Sequence, residues 1–412
     1  KTNSYQDWTR AKEEEAKSLR IQEQAAYWRT VCKDNVPKQN EYTVGERILV
    51  TFNLNEDVVE QVQKNLFKIR LLTWNDVLLF AYARAAKRNA FSYPECVMLE
   101  SHGRKDNELD VSRTAGWFTV VYPFCIPYSD SQSVVNNLVQ IKEEFHRVPD
   151  EGIGFDMIRR EDKTLIPSNV IINYIGNLGL VEKDSLFKIS DMIYGPLINS
   201  ENRALYDMEL NVFHIENAMK ISLAHTLEFT SKQMEVFMED FKESIEIAAK
   251  ELASAKKMST PLDYGYNHLT LSELENIKAK NSSEIRKIYA LSPMQKNILT
   301  TVSLGKNSEY YYERFSFRIA EKLDLEKMRE SFELLVRAHD VFKTSFHYKG
   351  LQEPVQIVLE QSEVDFHIIE GNQTVTLEEI LEQDKSEGFD LEAGKLIRMT
   401  IVKQEDGNYI IF

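Results

Sequence analysis

The order of helix-type and strand-type hydrophobic periodicities constrains the fold of this chain more than any other feature. Apolar and polar residues alternate over 42–53, which predicts a strand, and a helical pattern follows at 56–67. A buried helix is predicted at 73–86, with Thr73 as its N-cap, because that segment is apolar nearly all round. The other strand patterns lie at 96–100, 116–126, 170–175, 204–213 and 218–224, and the other helical patterns at 5–28, 134–146 and 231–255. These patterns form no regular βαβ repeat, so we expect mixed α+β layers and not a doubly wound sheet.

The composition of the sequence changes about two thirds of the way along the chain. The stretch 258–283 is polar, contains a Ser-Thr-Pro helix terminator and carries one short helix, which is typical of an interdomain linker. At about 150 residues per domain, 412 residues predict two to three domains. We therefore divide the chain into a first domain at 1–257, a linker at 258–287 and a second domain at 288–412.

The charge balance argues against two classes of partner. The chain has 50 Lys and Arg residues against 65 Asp and Glu residues, a formal net charge of −15, and no basic face stands out. Nucleic acids and anionic membrane surfaces are therefore not expected as partners. Because no apolar run approaches the roughly 18 residues of a membrane span, none is predicted.

Cysteine usage predicts neither a metal site nor a redox motif. Cys32, Cys96 and Cys125 are far apart in sequence and form no CxxC pair. Such a sparse, odd count is typical of a reducing cytoplasm, so we expect a cytoplasmic protein in which all three thiols are small apolar fillers. No metal ion is implied.

Sequence signatures of the common enzyme classes are missing from the chain. There is no GxxxxGK[ST], GxGxxG, GxSxG or HExxH, and the eight histidines are scattered. Pattern alone therefore predicts a two-domain α+β protein without naming its chemistry.

Five short motifs in the first domain carry a family resemblance. Residues 100–104 read ESHGR, and 113–119 read RTAGWFT, closely followed by Tyr122-Pro123. In the same order lie 76–81 (DVLLFA), 149–155 (PDEGIGF) and 173–176 (NYIG). Together they resemble the EGHGR, RTVGWFT..YP, DxLLxA, PxxGxGY and FNYLG motifs of epimerization domains in nonribosomal peptide synthetases.

The rest of the chain resembles the start of a condensation domain from the same synthetases. Residues 291–295 read LSPMQ, 339–346 read HDVFKTSF and 389–398 read FDLEAGKLIR, which look like the opening segments of such a domain. Residues 260–264, TPLDY, are similar to the TPSDF tail of an epimerization domain.

The resemblance implies a fold and an organisation. Both domain types consist of two lobes of the chloramphenicol-acetyltransferase kind and share a catalytic HHxxxDG motif in the first lobe. This sequence has no such motif. We expect the second lobe of an epimerization domain followed by the truncated first lobe of a condensation domain, and an isolated chain that is itself inactive.

Epimerization at the Cα of a thioester requires one group to remove a proton and another to return it on the opposite face, while an enolate-like intermediate is stabilised. By resemblance, Glu100 is a carboxylate acid/base, and burial at the end of an apolar strand would raise its pKa. The same resemblance implies that Asn173 and Tyr174 orient the thioester or stabilise the enolate oxygen. Because neighbours on a strand point to opposite faces, one of the two can enter the site while the other supports it.

By the same resemblance, the substrate arrives on the 4'-phosphopantetheine arm of a peptidyl carrier domain. The carrier and adenylation domains of the same synthetase are the expected partners, and the chain binds no cofactor of its own. His102 is interpreted as a structural turn residue, and His339 as part of a fold-bearing motif. Two alternatives stay open: a non-catalytic docking scaffold, and a coenzyme A-dependent acyltransferase of the same superfold.

Overall fold

The computed structural model forms two compact units, Lys1–Met258 and Ser259–Phe412. It describes residues 2–35, 42–89, 96–104, 108–177, 198–215, 218–227, 229–281, 283–303, 311–321, 323–370, 376–404 and 407–411. Within these ranges, every helix is too short or too polar to cross a membrane.

The first unit is built on a six-stranded mixed sheet. Its strands are β1 (Ile48–Leu54), β2 (Cys96–Ser101), β3 (Val120–Cys125), β4 (Val170–Asn177), β5 (Met208–Ile215) and β6 (Ala218–His225). Their order is β1-β6-β5-β4-β2-β3, with β2, β4 and β5 parallel to one another. Its helices are α1 (Tyr5–Glu15), α2 (Leu19–Gln22), α3 (Ala25–Cys32), α4 (Glu56–Asn65), α5 (Trp74–Arg88), α6 (Val134–Phe145), α7 (Ile153–Arg159) and α8 (Ser231–Ser254).

Helices cover one face of this sheet. The opposite face, termed the open face, is at least partly exposed along β1, β6 and β5 in the described residues, whereas its Met98 and Ile171 are buried. In β6 the burial alternates, so that Met219, Ile221 and Leu223 are buried while Lys220 and Ser222 are not. The buried face packs on the layer formed by α4, α5, α6 and α8. This period-2 alternation is the pattern of a strand that is packed on one side only.

The predicted cap of α5 is present. Thr73 and Asp76 form a capping box, in which the Thr73 amide and hydroxyl donate to the Asp76 carboxylate at 2.7 and 2.8 Å. The predicted single helix over 5–28 is wrong, because the segment is divided into α1, α2 and α3. The chain turns after α1, and Ser18 caps α2, which lets Ile21 and Trp28 both become fully buried.

The second unit contains two smaller sheets. Its strands are β7 (Ile285–Ala290), β8 (Ser316–Ile319), β9 (Thr344–His347), β10 (Val355–Leu359), β11 (Asp365–Glu370), β12 (Arg398–Gln404) and β13 (Gly407–Ile411), and its helices are α9 (Leu271–Lys280), α10 (Pro293–Ser303), α11 (Leu325–Ala338) and α12 (Leu377–Glu387). The strand orders are β7-β10-β9 and β11-β12-β13-β8. Separate apolar clusters lie under α11 and α12 on the four-stranded sheet.

Most of the segment expected to be a linker, 258–287, belongs to the second unit, which begins at Ser259. Leu269, Leu274 and Ile277 are buried in one cluster with Ile288 and Ile357 of the three-stranded sheet. Its residues from Ser259 onward thus contribute to a core, and the assignment of the two units to lobes of different domains stays a prediction.

The expectation for the cysteines is wrong in part. Cys96 and Cys125 are directly opposite one another on the antiparallel strands β2 and β3, and they are joined as a disulfide. Cys32 is free and buried, as expected. The pair was not predictable from sequence spacing, because the two cysteines are separated by 29 in sequence and only the strand register brings them together.

Candidate active site on the open sheet face

The open face of the sheet is polar near the ends of its parallel strands. Met98 of β2 is paired with Ile171 of β4, and Ile171 is paired with Glu209 of β5. Paired residues of neighbouring strands point to the same face, and side chains alternate along each strand. Glu100 and Asn173, two residues further along their strands, therefore lie on this same open face.

Glu100 is the second-last residue of β2, directly after the buried run Val97–Leu99. Among the described residues, its carboxylate has no hydrogen-bond or ion-pair partner, and the residue is exposed. Partial burial of the carboxyl group raises the pKa of Glu100, and the negative charge of Glu209 raises it further. A carboxyl with a raised pKa and no partner is suited to exchanging a proton with a ligand.

Asn173 and Tyr174 are divided between the two faces. Asn173 is level with Asn211 on β5 and shares the open face with Glu100. Tyr174 points toward the helix layer, where its ring lies 5.8 Å from that of His214, edge to face, and burial raises its pKa. The structure thus places Asn173 on the same face as Glu100 and Tyr174 on the opposite face.

A charged group on the same face was missed by the sequence reasoning. The Arg47 guanidinium donates to one carboxylate oxygen of Glu209 at 2.7 Å, and Asn211 Nδ2 donates to the other at 2.9 Å. The signal was available, since Glu209 and Asn211 alternate with the buried Leu210 in a strand. Alternating polar residues in a strand mark its uncovered face.

A cleft of about 1140 Å³ opens beside the strand that carries Glu100. It is lined by α1, α7, part of β3 and the residues before β5, and it includes Met98, Trp117 and Tyr206. Trp117 is 78% exposed, although it is a large aromatic side chain. Burial raises the pKa of Tyr206, and the charges of Glu100 and Glu209 raise it further. An exposed aromatic wall beside a titratable group is typical of a ligand site.

The turn after β2 has the structural form expected of it. The Arg104 amide donates to His102 Nδ1 at 3.1 Å, across Gly103 with φ +62°. The Arg104 side chain holds the following loop, because its Nη1 donates to the carbonyls of Val111 and Thr114. In the described ranges, no group of three or more His, Cys, Asp or Glu side chains is arranged to hold a metal ion.

The second unit contains a buried serine–histidine pair and a separate histidine at a helix end. His347 Nε2 lies 3.0 Å from Ser345 Oγ, and both residues are almost fully buried. Burial lowers the pKa of His347. His339 follows α11, with its ring against Phe342. Ser345 and His347 are thus closed off from solvent in this unit.

Comparison with known proteins identifies the family. The sequence model described as "Condensation domain" matches residues 1–269 and 285–412, so the chain belongs to the condensation domain family. The chain is 28% identical to bacitracin synthase 1 of Bacillus licheniformis over 429 residues, 99% of this chain and 8% of that protein. It is 27% identical to bacitracin synthase 3 of the same organism over 432 residues, 99% of this chain and 7% of that protein. It thus spans only a small part of these relatives.

A solved structure supports the fold. The epimerization domain from the third module of tyrocidine synthetase B superposes with a TM-score of 0.54 at 22% identity, covering 62% of this chain and 61% of that one. The predicted mixed α/β fold of the chloramphenicol-acetyltransferase kind is confirmed. The chain is therefore a condensation-type part of a nonribosomal peptide synthetase, as its motifs predicted.

Proposed function

We propose that the first unit is the carboxyl-terminal lobe of an epimerization domain, which converts an L-aminoacyl or peptidyl thioester into a mixture of L and D forms. One observation carries the proposal: Glu100 lies unpartnered among the described residues on the open face, with a raised pKa. The five ordered motifs of the sequence favour epimerization over condensation for this unit.

The chemistry assigned to this chain is the transfer of one proton. Glu100 removes the Cα proton of the thioester, or returns it, from one face of the reacting carbon. Asn173 lies on the same sheet face, one strand away, and its amide donates to the oxygen that becomes negative in the enolate. The imidazole that serves the opposite face belongs to HHxxxDG and is supplied from outside this chain.

The substrate is carried to this face by a partner. The 4'-phosphopantetheine arm of a peptidyl carrier domain is assigned to the cleft beside β2, which has a volume of about 1140 Å³ and is lined in part by Trp117 and Tyr206. Carrier and adenylation domains of one cytoplasmic synthetase are the proposed partners. The arm belongs to the carrier domain, so the chain itself holds no resident cofactor.

The second unit is proposed as the amino-terminal lobe of the next condensation domain. In the intact synthetase this domain would accept the D-configured donor and form the following amide bond. The LSPMQ segment at 291–295 lies before and within the start of α10, and the HDVFKTSF segment at 339–346 connects α11 with β9. Both are the segments that carried the resemblance.

The test is chiral analysis of the aminoacyl group released from the carrier domain of the intact synthetase. We expect Glu100→Gln to lower the rate of D-product formation at least about 100-fold, the usual contribution of a positioned acid/base. The matched control Glu235→Gln, on the exposed side of α8, should leave that rate unchanged.

An unchanged rate in Glu100→Gln would contradict the proposal. Carrier binding retained without any D-product in the wild type would instead support the docking scaffold. Acyl transfer from coenzyme A would support the acyltransferase.

A further inference from the structure

Three consecutive residues before α7 have a left-handed backbone. Asp150 has φ 46°, Glu151 has φ 53° and Gly152 has φ 88°. Glycine adopts this conformation freely, but a residue with a side chain does so only where surrounding contacts hold it. Two adjacent non-glycine residues of this kind are a marker of stored backbone strain.

Contacts on both sides hold the turn 150–152 in place. The Asp150 carboxylate accepts a hydrogen bond from Gln24 Nε2 at 2.6 Å and forms an ion pair with Arg20. On the other side, Gly152 lies directly against the ring of Tyr122, where a Cβ atom would overlap the ring. These contacts explain why an acid and a glycine occupy their positions in the PDEGIGF segment.

The turn meets β2 next to Glu100. Ser101, the last residue of β2, donates its hydroxyl to the carbonyl oxygen of Glu151 at 3.0 Å. Tyr122, which contacts Gly152, is the partner of Leu99 across the β2–β3 pair. The turn therefore contacts Ser101, which follows Glu100 in β2. It also contacts Tyr122, which is paired with Leu99, the residue before Glu100.

We propose that Ser101 and the strained turn 150–152 are positioning elements for Glu100. The hydrogen bond from Ser101 to the Glu151 carbonyl fixes the end of β2, and with it the direction of the Glu100 carboxyl on the open face. The contacts of Asp150 and Gly152 hold the turn in the conformation that this bond requires. The catalytic meaning of this arrangement rests on the proposed function, whereas the fixation of the carboxyl does not.

The first test measures Glu100 directly, without any assay of activity. The Glu100 carboxyl carbon is followed by NMR in the ¹³C-labelled 412-residue chain, and its signal is assigned by its loss in Glu100→Gln. In Ser101→Ala, the freed strand end admits water, so the titration midpoint should fall toward the ordinary glutamate value of about 4.3. Ser101→Thr keeps the donor hydroxyl and should keep the wild-type midpoint. An unchanged midpoint in folded Ser101→Ala would overturn the proposal.

The second test addresses strain. Glu151→Gly and Glu151→Ala both remove the side chain, but only glycine relieves a positive φ. Glu151→Gly should therefore melt at a higher temperature than Glu151→Ala. A lower melting temperature for Glu151→Gly than for Glu151→Ala would show that the turn is not strained. It would overturn the role of the turn as a positioning element.

Failure of the proposed function and failure of the positioning role of Ser101 can be distinguished. Cα proton exchange in the intact synthetase should be lost in Ser101→Ala and recovered in Ser101→Thr. If Glu100→Gln leaves that exchange intact, the proposed function fails, while the NMR titration still decides whether Ser101 positions the carboxyl.

Discussion

Arg47 and Glu209 form an ion pair, with a distance of 2.7 Å, at the open face of the six-stranded sheet. Asn211 holds the second carboxylate oxygen of Glu209, so that this negative charge is fixed in place. The charge raises the pKa of Glu100 on the same face, in addition to the effect of burial. The face that carries the candidate acid/base is thus an organised set of polar groups and not merely an uncovered side of a sheet.

The ion pair itself leads to a test of coupling. The Arg47 side chain is only 13% exposed. Arg47→Met therefore leaves the partly buried Glu209 carboxylate without its ion-pair partner, and Glu209→Gln leaves the Arg47 guanidinium without its ion-pair partner. We expect each single change to destabilise the chain, and the double change to cost less than the sum by about 1 kcal/mol. Urea unfolding of the four proteins measures this coupling. Strictly additive effects would show that the pair contributes nothing to the fold.

Asn173 and Tyr174 offer a matched pair of substitutions on opposite faces. Asn173→Ala removes an amide from the open face and should lower D-product formation at least about tenfold, with little change in stability. Tyr174→Phe keeps the ring against His214 and should leave the rate nearly unchanged. Chiral product analysis and thermal unfolding of both variants check this. A larger loss in Tyr174→Phe than in Asn173→Ala would reverse the assignment of faces.

Asp76, the capping residue of α5, predicts a pH dependence of stability. Burial raises its pKa to about 6, against the lowering effect of the Thr73 hydrogen bonds and of the nearby Lys142 and His146. The folded state therefore prefers the protonated acid. Its stability contribution is complete below about pH 4 and is lost as the pH rises through about 6, by up to about 3 kcal/mol.

Asp76→Asn isolates this effect, because the amide cannot ionise yet retains an acceptor for Thr73. The variant should show a smaller fall in unfolding free energy between about pH 4 and about pH 7 than the wild type. Equal slopes in denaturant titrations at a series of pH values would count against a raised pKa for Asp76.

His347 predicts the opposite trend in the second unit. Burial lowers its pKa, so the folded state prefers the neutral imidazole. The stability it contributes is present above its ordinary pKa of about 6.5 and is lost as the pH falls below that value. His347→Gln should flatten the acid side of the stability profile of this unit. An unchanged acid side of the profile in folded His347→Gln would contradict a lowered pKa for His347.

Local sequence patterns predicted some ends of elements and misplaced others. The strands predicted to begin at 42, 116 and 204 begin at Ile48, Val120 and Met208. The end of an apolar strand at Glu100 and the start of α5 at Thr73 were both predictable from local periodicity and capping. The break at Ser18 escaped prediction because the surrounding residues are good helix formers, and burial of Ile21 overrides their preference. The Cys96–Cys125 pair also escaped, since strand register is a long-range property that local periodicity does not report.

The most direct test of the account is exchange of the Cα proton with solvent. The intact synthetase is incubated in D₂O with an L-aminoacyl carrier domain, and deuterium incorporation at Cα is followed by mass spectrometry. We expect rapid incorporation in the wild type and in Glu235→Gln, and a loss of at least about 100-fold in Glu100→Gln if Glu100 is the acid/base. Incorporation at the wild-type rate in Glu100→Gln would contradict that role.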